Sequence, residues 1–118
     1  MTYAPTNDVR KERYTYAAHA AQDMKGAIER MKVTSYANRS HLEDAYRDAD
    51  DAYNFARHAE GHAMLGNYDA ARDYAMLAKY RVHAAIGALQ AAPHQIDPYN
   101  EFTLAMSTGH RVSHLCTP

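Results

Sequence analysis

Apolar residues return at three- and four-residue intervals along three successive stretches of the chain, and most of them are alanine. In the first stretch the recurring positions are Val9, Tyr16, Ala17, Ala20, Met24, Ala27, Ile28 and Met31. In the second they are Leu42, Ala45, Tyr46, Ala49, Tyr53, Ala56 and Ala63, and in the third Ala71, Tyr74, Ala78, Val82, Ala85 and Leu89. Only a helix with one buried face repeats in this way. The spacing predicts helices over about 8–33 and 41–65, and a third running from a cap at Asn67 or Asp69 to Pro93.

Local signals punctuate the same plan. Ser40 followed by Glu43 has the form of a capping box at the start of the second helix, and Gly66 with Asn67 supplies a left-handed stop at its end. Long helices joined by such short turns pack antiparallel. Beyond Pro93 the periodicity weakens. Asp97 and Pro98 read as a cap and first-turn pair, and Tyr99, Phe102 and Met106 line a short fourth helix ending near Gly109. The fold class expected is all-α, an antiparallel three-helix bundle with a short C-terminal fourth helix. Residues 1–118 form a single domain, with 1–7 an irregular lead-in and 110–118 an irregular, His-rich tail. The segment Ala59 to Ala78, with Leu65, Gly66, Tyr68, Ala71, Tyr74 and Ala78, resembles a single tetratricopeptide-type hairpin; the resemblance implies a tight antiparallel helix pair, and no peptide-binding function is carried over from it.

Because alanine and tyrosine dominate the apolar 47%, with two Phe and no Trp, the core is thin and the helices stand close together. Gly26 and Gly87 are expected to allow that approach. A chain of 118 residues buries about two thirds of its unfolded surface, enough to fold without metals or disulfides. A lone Cys116 excludes an intrachain disulfide. Residues 1–13 lack the apolar core of a signal peptide, and no run approaches the roughly 18 apolar residues of a membrane span. A cytoplasmic protein with no membrane partner is expected.

Net charge is −1, so bulk electrostatics disfavour nucleic acid as a partner. The distribution is uneven: residues 8–39 hold seven Lys or Arg against four acids, and 40–60 six acids against two Arg. Attraction between the first two helices accounts for it. Glu60, close to the apolar face, is expected to pair with Arg13 or Arg81.

Few residues suggest chemistry. His58 and His62 stand four apart, as do His110 and His114, a spacing that brings two imidazoles to one side of a helix and makes these residues candidate metal ligands. On a wheel His58 and His62 fall opposite the apolar stripe, on a solvated face, and no cofactor is implied. No Glu-x-x-His pair of the di-iron type is present, and neither a nucleophile elbow nor a phosphate-binding glycine loop occurs. Arg57, four residues and then His62, with the polar His58 after the Arg, has the form of the Arg-to-His motif of the HEPN family of helical ribonucleases. The segment resembles that motif over residues 57–62. The resemblance implies a metal-independent ribonuclease acting as a dimer, Arg57 holding charge that develops on an RNA phosphate and His62 moving protons. Asp48, Asp50 and Asp51 beside it would repel an RNA backbone.

Surface recognition fits the composition better. Of ten tyrosines, Tyr14 and Tyr80 fall off their helices' apolar centres and Tyr36 and Tyr68 sit in turns. With Arg47 and Asp51 they are candidate protein-interface residues, since a rigid aromatic contributes contact area at low entropic cost. The expected function is a non-enzymatic module that binds another protein as adaptor or inhibitor of a larger complex. Small Ala-rich chains of this kind are common among accessory proteins, including those phages direct against host defences. Pairing of two copies through the fourth helix and tail is an overlapping expectation.

Overall fold

The computed structural model describes residues 7–34, 39–92 and 100–118. They form four helices: α1 (Asn7–Thr34), α2 (Arg39–Met64), α3 (Tyr68–Ala91) and α4 (Glu101–Leu115). The architecture is a three-helix bundle with a short C-terminal helix. α2 is central, packed on α1 along one side and α3 along the other. α4 lies on α1 and α3 and runs antiparallel to both. Arg30 of α1 meets Glu101 at the start of α4, whereas Arg13 of α1 and Lys79 of α3 meet Thr117 just past its end. Tyr36 and the predicted helix start at Asp97, Pro98 and Tyr99 lie outside the described residues, as do Pro93 and positions 1–6.

The inward positions of α2 are Leu42, Ala45, Ala49, Ala52, Ala56, Ala59 and Ala63, alternating by three and four without a break. Those of α3, namely Ala71, Ala75, Ala78, Val82, Ala85 and Leu89, do the same. This is the heptad alternation of a coiled-coil seam, filled with the smallest side chain that has a Cβ. Alanine there lets the helices stand close, and each methyl is fully removed from water. Tyr46 and Tyr53, read from the sequence as inward, are only half buried, and Ala52 and Ala59 take the seam instead. Tyr16 likewise stands half exposed, while Ala18 and Ala21 are buried.

The turn from α2 to α3 forms as its residues dictate. Gly66 adopts a left-handed φ of 77°. The Gly66 N–H donates to the Ala63 carbonyl at 3.1 Å, and the Asn67 N–H to that of His62 at 2.9 Å. These two bonds close a Schellman motif. Asn67 occupies the N-cap position of α3 but makes no side-chain cap bond. The capping box expected at Ser40 is displaced, because α2 already begins at Arg39 and the Glu43 carboxylate takes Arg39 Nε at 3.3 Å.

The C-terminal expectation needs correction. Residues 110–118 are not an irregular tail: α4 continues to Leu115, and Val112 and Cys116 are buried. Gly109 does not stop the helix. It faces inward, where an added Cβ would stand 3.0 Å from Met24 and 3.1 Å from Ile86, so it is the glycine that allows close helix approach. The buried row Ala105, Gly109, Val112 and Cys116 then carries the helical spacing past it. Gly87, by contrast, has nothing within 4 Å, and Gly26 is near only Arg30 of its own helix.

Candidate protein-binding face

The residues singled out from sequence fall in three places. At the end of the bundle where α2 turns into α3, Glu60 is largely buried, accepts a hydrogen bond from Thr15 Oγ1 of α1, and pairs with Arg57 at 3.6 Å. Its partners are therefore Arg57 and Thr15 rather than Arg13 or Arg81. Arg81 instead reaches Asp48 at 3.9 Å and Asp51 at 3.7 Å.

His62 goes the other way around α2. Its ring stacks on Tyr74 of α3 with centroids 5.2 Å apart and planes 10° from parallel, and His58 stacks on the same tyrosine at 5.1 Å. The expected solvated face is thus a second packed face for His62, because a central helix is covered on two sides and a wheel drawn around one stripe misses the second. Arg57 and His62 are five residues apart, about 140° around an ideal helix; Arg57 is exposed beside Glu60 of its own helix, and His62 packs on Tyr74 of α3. Their own chain does not bring them together. His62 Nδ1 is buried with no hydrogen-bond partner among the described residues. His110 and His114 are exposed on α4, which shares α1 and α3 with α2 from the opposite side. No group of three or more His, Cys, Asp or Glu able to hold a metal stands together among the described residues.

The candidate interface residues separate clearly. Tyr14 packs against the core. Burial pushes its phenol pKa up, the Cys116 sulfur adds to this, and Arg13, Arg10 and Arg72 pull against it. Tyr68 is partly buried under the Arg10 guanidinium, 4.7 Å from the ring centroid. Arg47 is exposed and paired with Asp44 at 3.3 Å on its own helix, and Asp51 is taken by Arg81. Of the described candidate tyrosines, Tyr80 alone stands out into solvent, 70% exposed.

Tyr80 belongs to a face that sequence reading did not assemble. From Met76 to Ala91, the exposed residues of α3 are Met76, Leu77, Tyr80, His83, Ala84, Gly87, Gln90 and Ala91, and none is Lys, Arg, Asp or Glu. Leu77, Tyr80, Ala84, Gly87 and Ala91 repeat at intervals of three and four, opposite the inward row. They make a second heptad stripe about 20 Å long. The two charged residues of this stretch are drawn off its edges, Arg81 to the acids of α2 and Lys79 to Thr117. The signal was present in the sequence, but it was absorbed into the expectation that one apolar row per helix suffices.

Cys116 is buried rather than loose in a tail, and burial pushes its thiol up to about 12, against the lowering influence of Arg13 and Lys79. It is a protonated packing residue at neutral pH. No described helix is long and apolar enough to cross a membrane. No family model matches the chain, and no curated protein or solved structure shows significant similarity to it.

Proposed function

We propose that this protein is a non-enzymatic helical module that binds another protein, as adaptor or inhibitor of a larger complex, through the outward face of α3. The observation that carries the reading is the uncharged stripe around Leu77 and Tyr80. A solvent-facing helix surface in a chain with 23% charged residues ordinarily carries charges. An apolar row left exposed among the described residues reads as a binding surface. Its make-up suits an incoming helix: Tyr80 and Leu77 are large anchors, and Ala84 and Gly87 beyond them leave room for a second backbone to come close.

The test is affinity capture from the native host with quantitative mass spectrometry, run in parallel on wild type, Tyr80→Glu and Arg47→Glu. The expected result is a partner held in near-stoichiometric amount by wild type and Arg47→Glu and lost by Tyr80→Glu. A partner that survives Tyr80→Glu, or none in any eluate, would overturn the reading. Sedimentation of the pure protein decides whether that partner is a second copy.

A further inference from the structure

Of the 13 Lys and Arg, seven stand in ion-pair contact with carboxylates. Four of the others converge on one corner where α1, α3 and the end of α4 meet. Arg13 Nη2 donates to the Thr117 carbonyl at 3.1 Å and Lys79 Nζ to Thr117 Oγ1 at 3.0 Å. Arg10 lies over the Tyr68 ring at 4.7 Å. Arg72, on the exposed side of α3, acts with Arg10 and Arg13 on the half-buried phenol of Tyr14. None of the four makes an ion pair among the described residues. Lys11 and Arg111 also make no ion pair among the described residues, so what distinguishes this corner is that four such cations gather in one place.

We propose that this cationic corner docks an acidic segment of the partner protein, a short stretch carrying several Asp or Glu beside an apolar side chain. The inference rests on the protein-binding reading and adds the partner's chemistry to it. Three guanidiniums and an ammonium around tyrosine rings match carboxylates in charge, and the arginine forks match them in shape. The corner is also continuous with the apolar face, since Arg72, Met76, Lys79 and His83 follow one another at intervals of four, three and four along α3. A segment anchored at Arg72 and Lys79 can therefore lay its apolar side on Met76 and Leu77. A nucleic acid fits less well. Its charge is continuous along the backbone and would meet Glu12 of α1 and Asp69 and Asp73 of α3, exposed between and beside the corner's arginines, and the chain as a whole carries no positive excess.

The experiment is fluorescence anisotropy on the full chain with three labelled probes: a short Glu/Leu peptide, its Lys/Leu counterpart, and a single-stranded oligothymidylate. The Glu/Leu peptide should bind, and more weakly as salt rises. Arg10→Gln with Arg72→Gln should weaken it by about tenfold, and Arg39→Gln with Arg47→Gln, the same charge change on α2, should leave it unaltered. If the first pair lowers the melting temperature, Arg72→Glu alone, at an exposed side chain, carries the comparison. Equal weakening by both pairs, equal binding of the two peptides, absence of peptide binding, or tighter binding of the oligothymidylate would each overturn the proposal. Its failure is separable from that of the protein-binding reading: a captured partner that tolerates the corner variants but not Tyr80→Glu refutes the corner alone, and one indifferent to Tyr80→Glu refutes the α3 face.

Discussion

Along α2 the inward row from Leu42 to Ala63 and along α3 the inward row from Ala71 to Leu89 follow the same three-and-four alternation with nearly the same side chains. Their outward faces have almost nothing in common. α2 shows solvent Arg39, Glu43, Asp44, Arg47 and Arg57, all five held in three ion pairs within the helix at 3.3 to 3.6 Å. α3 shows Asp69, Arg72 and Asp73 in its first two turns, and from there on Met76, Leu77, Tyr80, Ala84 and Gly87. The two helices do the same structural work on the same kind of seam, so packing does not explain the difference outside. The excess apolar surface of α3 is the surface proposed above for recognition.

The seam is where the two should behave alike and where effects should be largest. Ala52→Leu on α2 and Ala78→Leu on α3 each drive a branched side chain into a position fully removed from water. Overpacking of this kind costs about 1–3 kcal/mol, and the close approach of alanine-lined helices puts both near the upper end. Urea unfolding should show similar losses for the two. A loss confined to one helix would mean that the rows are not equivalent and that the comparison starts from a false premise.

The outward faces should then separate in affinity and not in stability. Tyr80→Glu places a charge at the centre of the apolar stripe and should cost about 2 kcal/mol or more in partner binding. Arg47→Glu on α2 should cost little. Both residues are exposed, so each should change folding stability by less than about 0.5 kcal/mol. Melting curves run beside the capture experiment check this, and a large fall in stability for Tyr80→Glu would recast Tyr80 as a structural residue.

Two glycines sharpen the same contrast at smaller amplitude. Gly61 on α2 and Gly87 on α3 both lie near the C-terminal ends of their helices, exposed and free of any atom within 4 Å of a built Cβ. Alanine at either site should stabilise the fold by about 0.5–1 kcal/mol by removing backbone freedom from the unfolded chain. If α3 meets a partner helix at close range, Gly87→Ala should weaken binding while Gly61→Ala leaves it unchanged. Equal affinity for the two variants would place the contact away from Gly87.

The inner half of this comparison was legible in the sequence and the outer half was not. Periodicity placed α1, α2 and α3 close to their observed bounds, because a buried methyl every three or four residues has no other explanation, and it ended α4 six residues early. It misjudged which residues fill the seam. Weighting by side-chain size favoured Tyr46 and Tyr53 over Ala52 and Ala59, yet a tyrosine cannot enter a gap between helices this close and lies at its edge, under Lys25 and Lys32. Gly109 was read as a stop because a glycine's local preference carries no sign of what lies across from it; only Met24 and Ile86, far away in sequence, give it a role. The surroundings of His62 belong to α3, which a wheel of α2 alone does not include. The cationic corner draws its members from α1 and α3 and closes on Thr117 past α4, a convergence that a linear reading does not display.

The smallest effect lies at the boundary between the two faces, on the α2–α3 seam, where Asp48 is mostly buried, 13% exposed and 3.9 Å from Arg81. Burial is the largest influence on this carboxyl and raises its pKa. Arg47 and Arg81 lower it, Asp51 and Asp44 raise it, and the net shift is upward. A folded pKa above the unfolded value means that the fold holds this proton more tightly than the open chain does. Its contribution is therefore fully present below the ordinary Asp value of about 3.9 and is lost as pH rises through the folded value. Asp48→Asn, which keeps the shape and removes the charge, should raise stability near pH 7 by a few tenths of a kcal/mol, with no gain near pH 3. Arg81 keeps Asp51 at 3.7 Å in that variant, so it is not left unpaired. Unfolding curves at the two pH values decide the matter. A gain of equal size at both would trace the effect to amide packing, and a loss near pH 7 would show that the ion pair with Arg81 outweighs the cost of burying the charge.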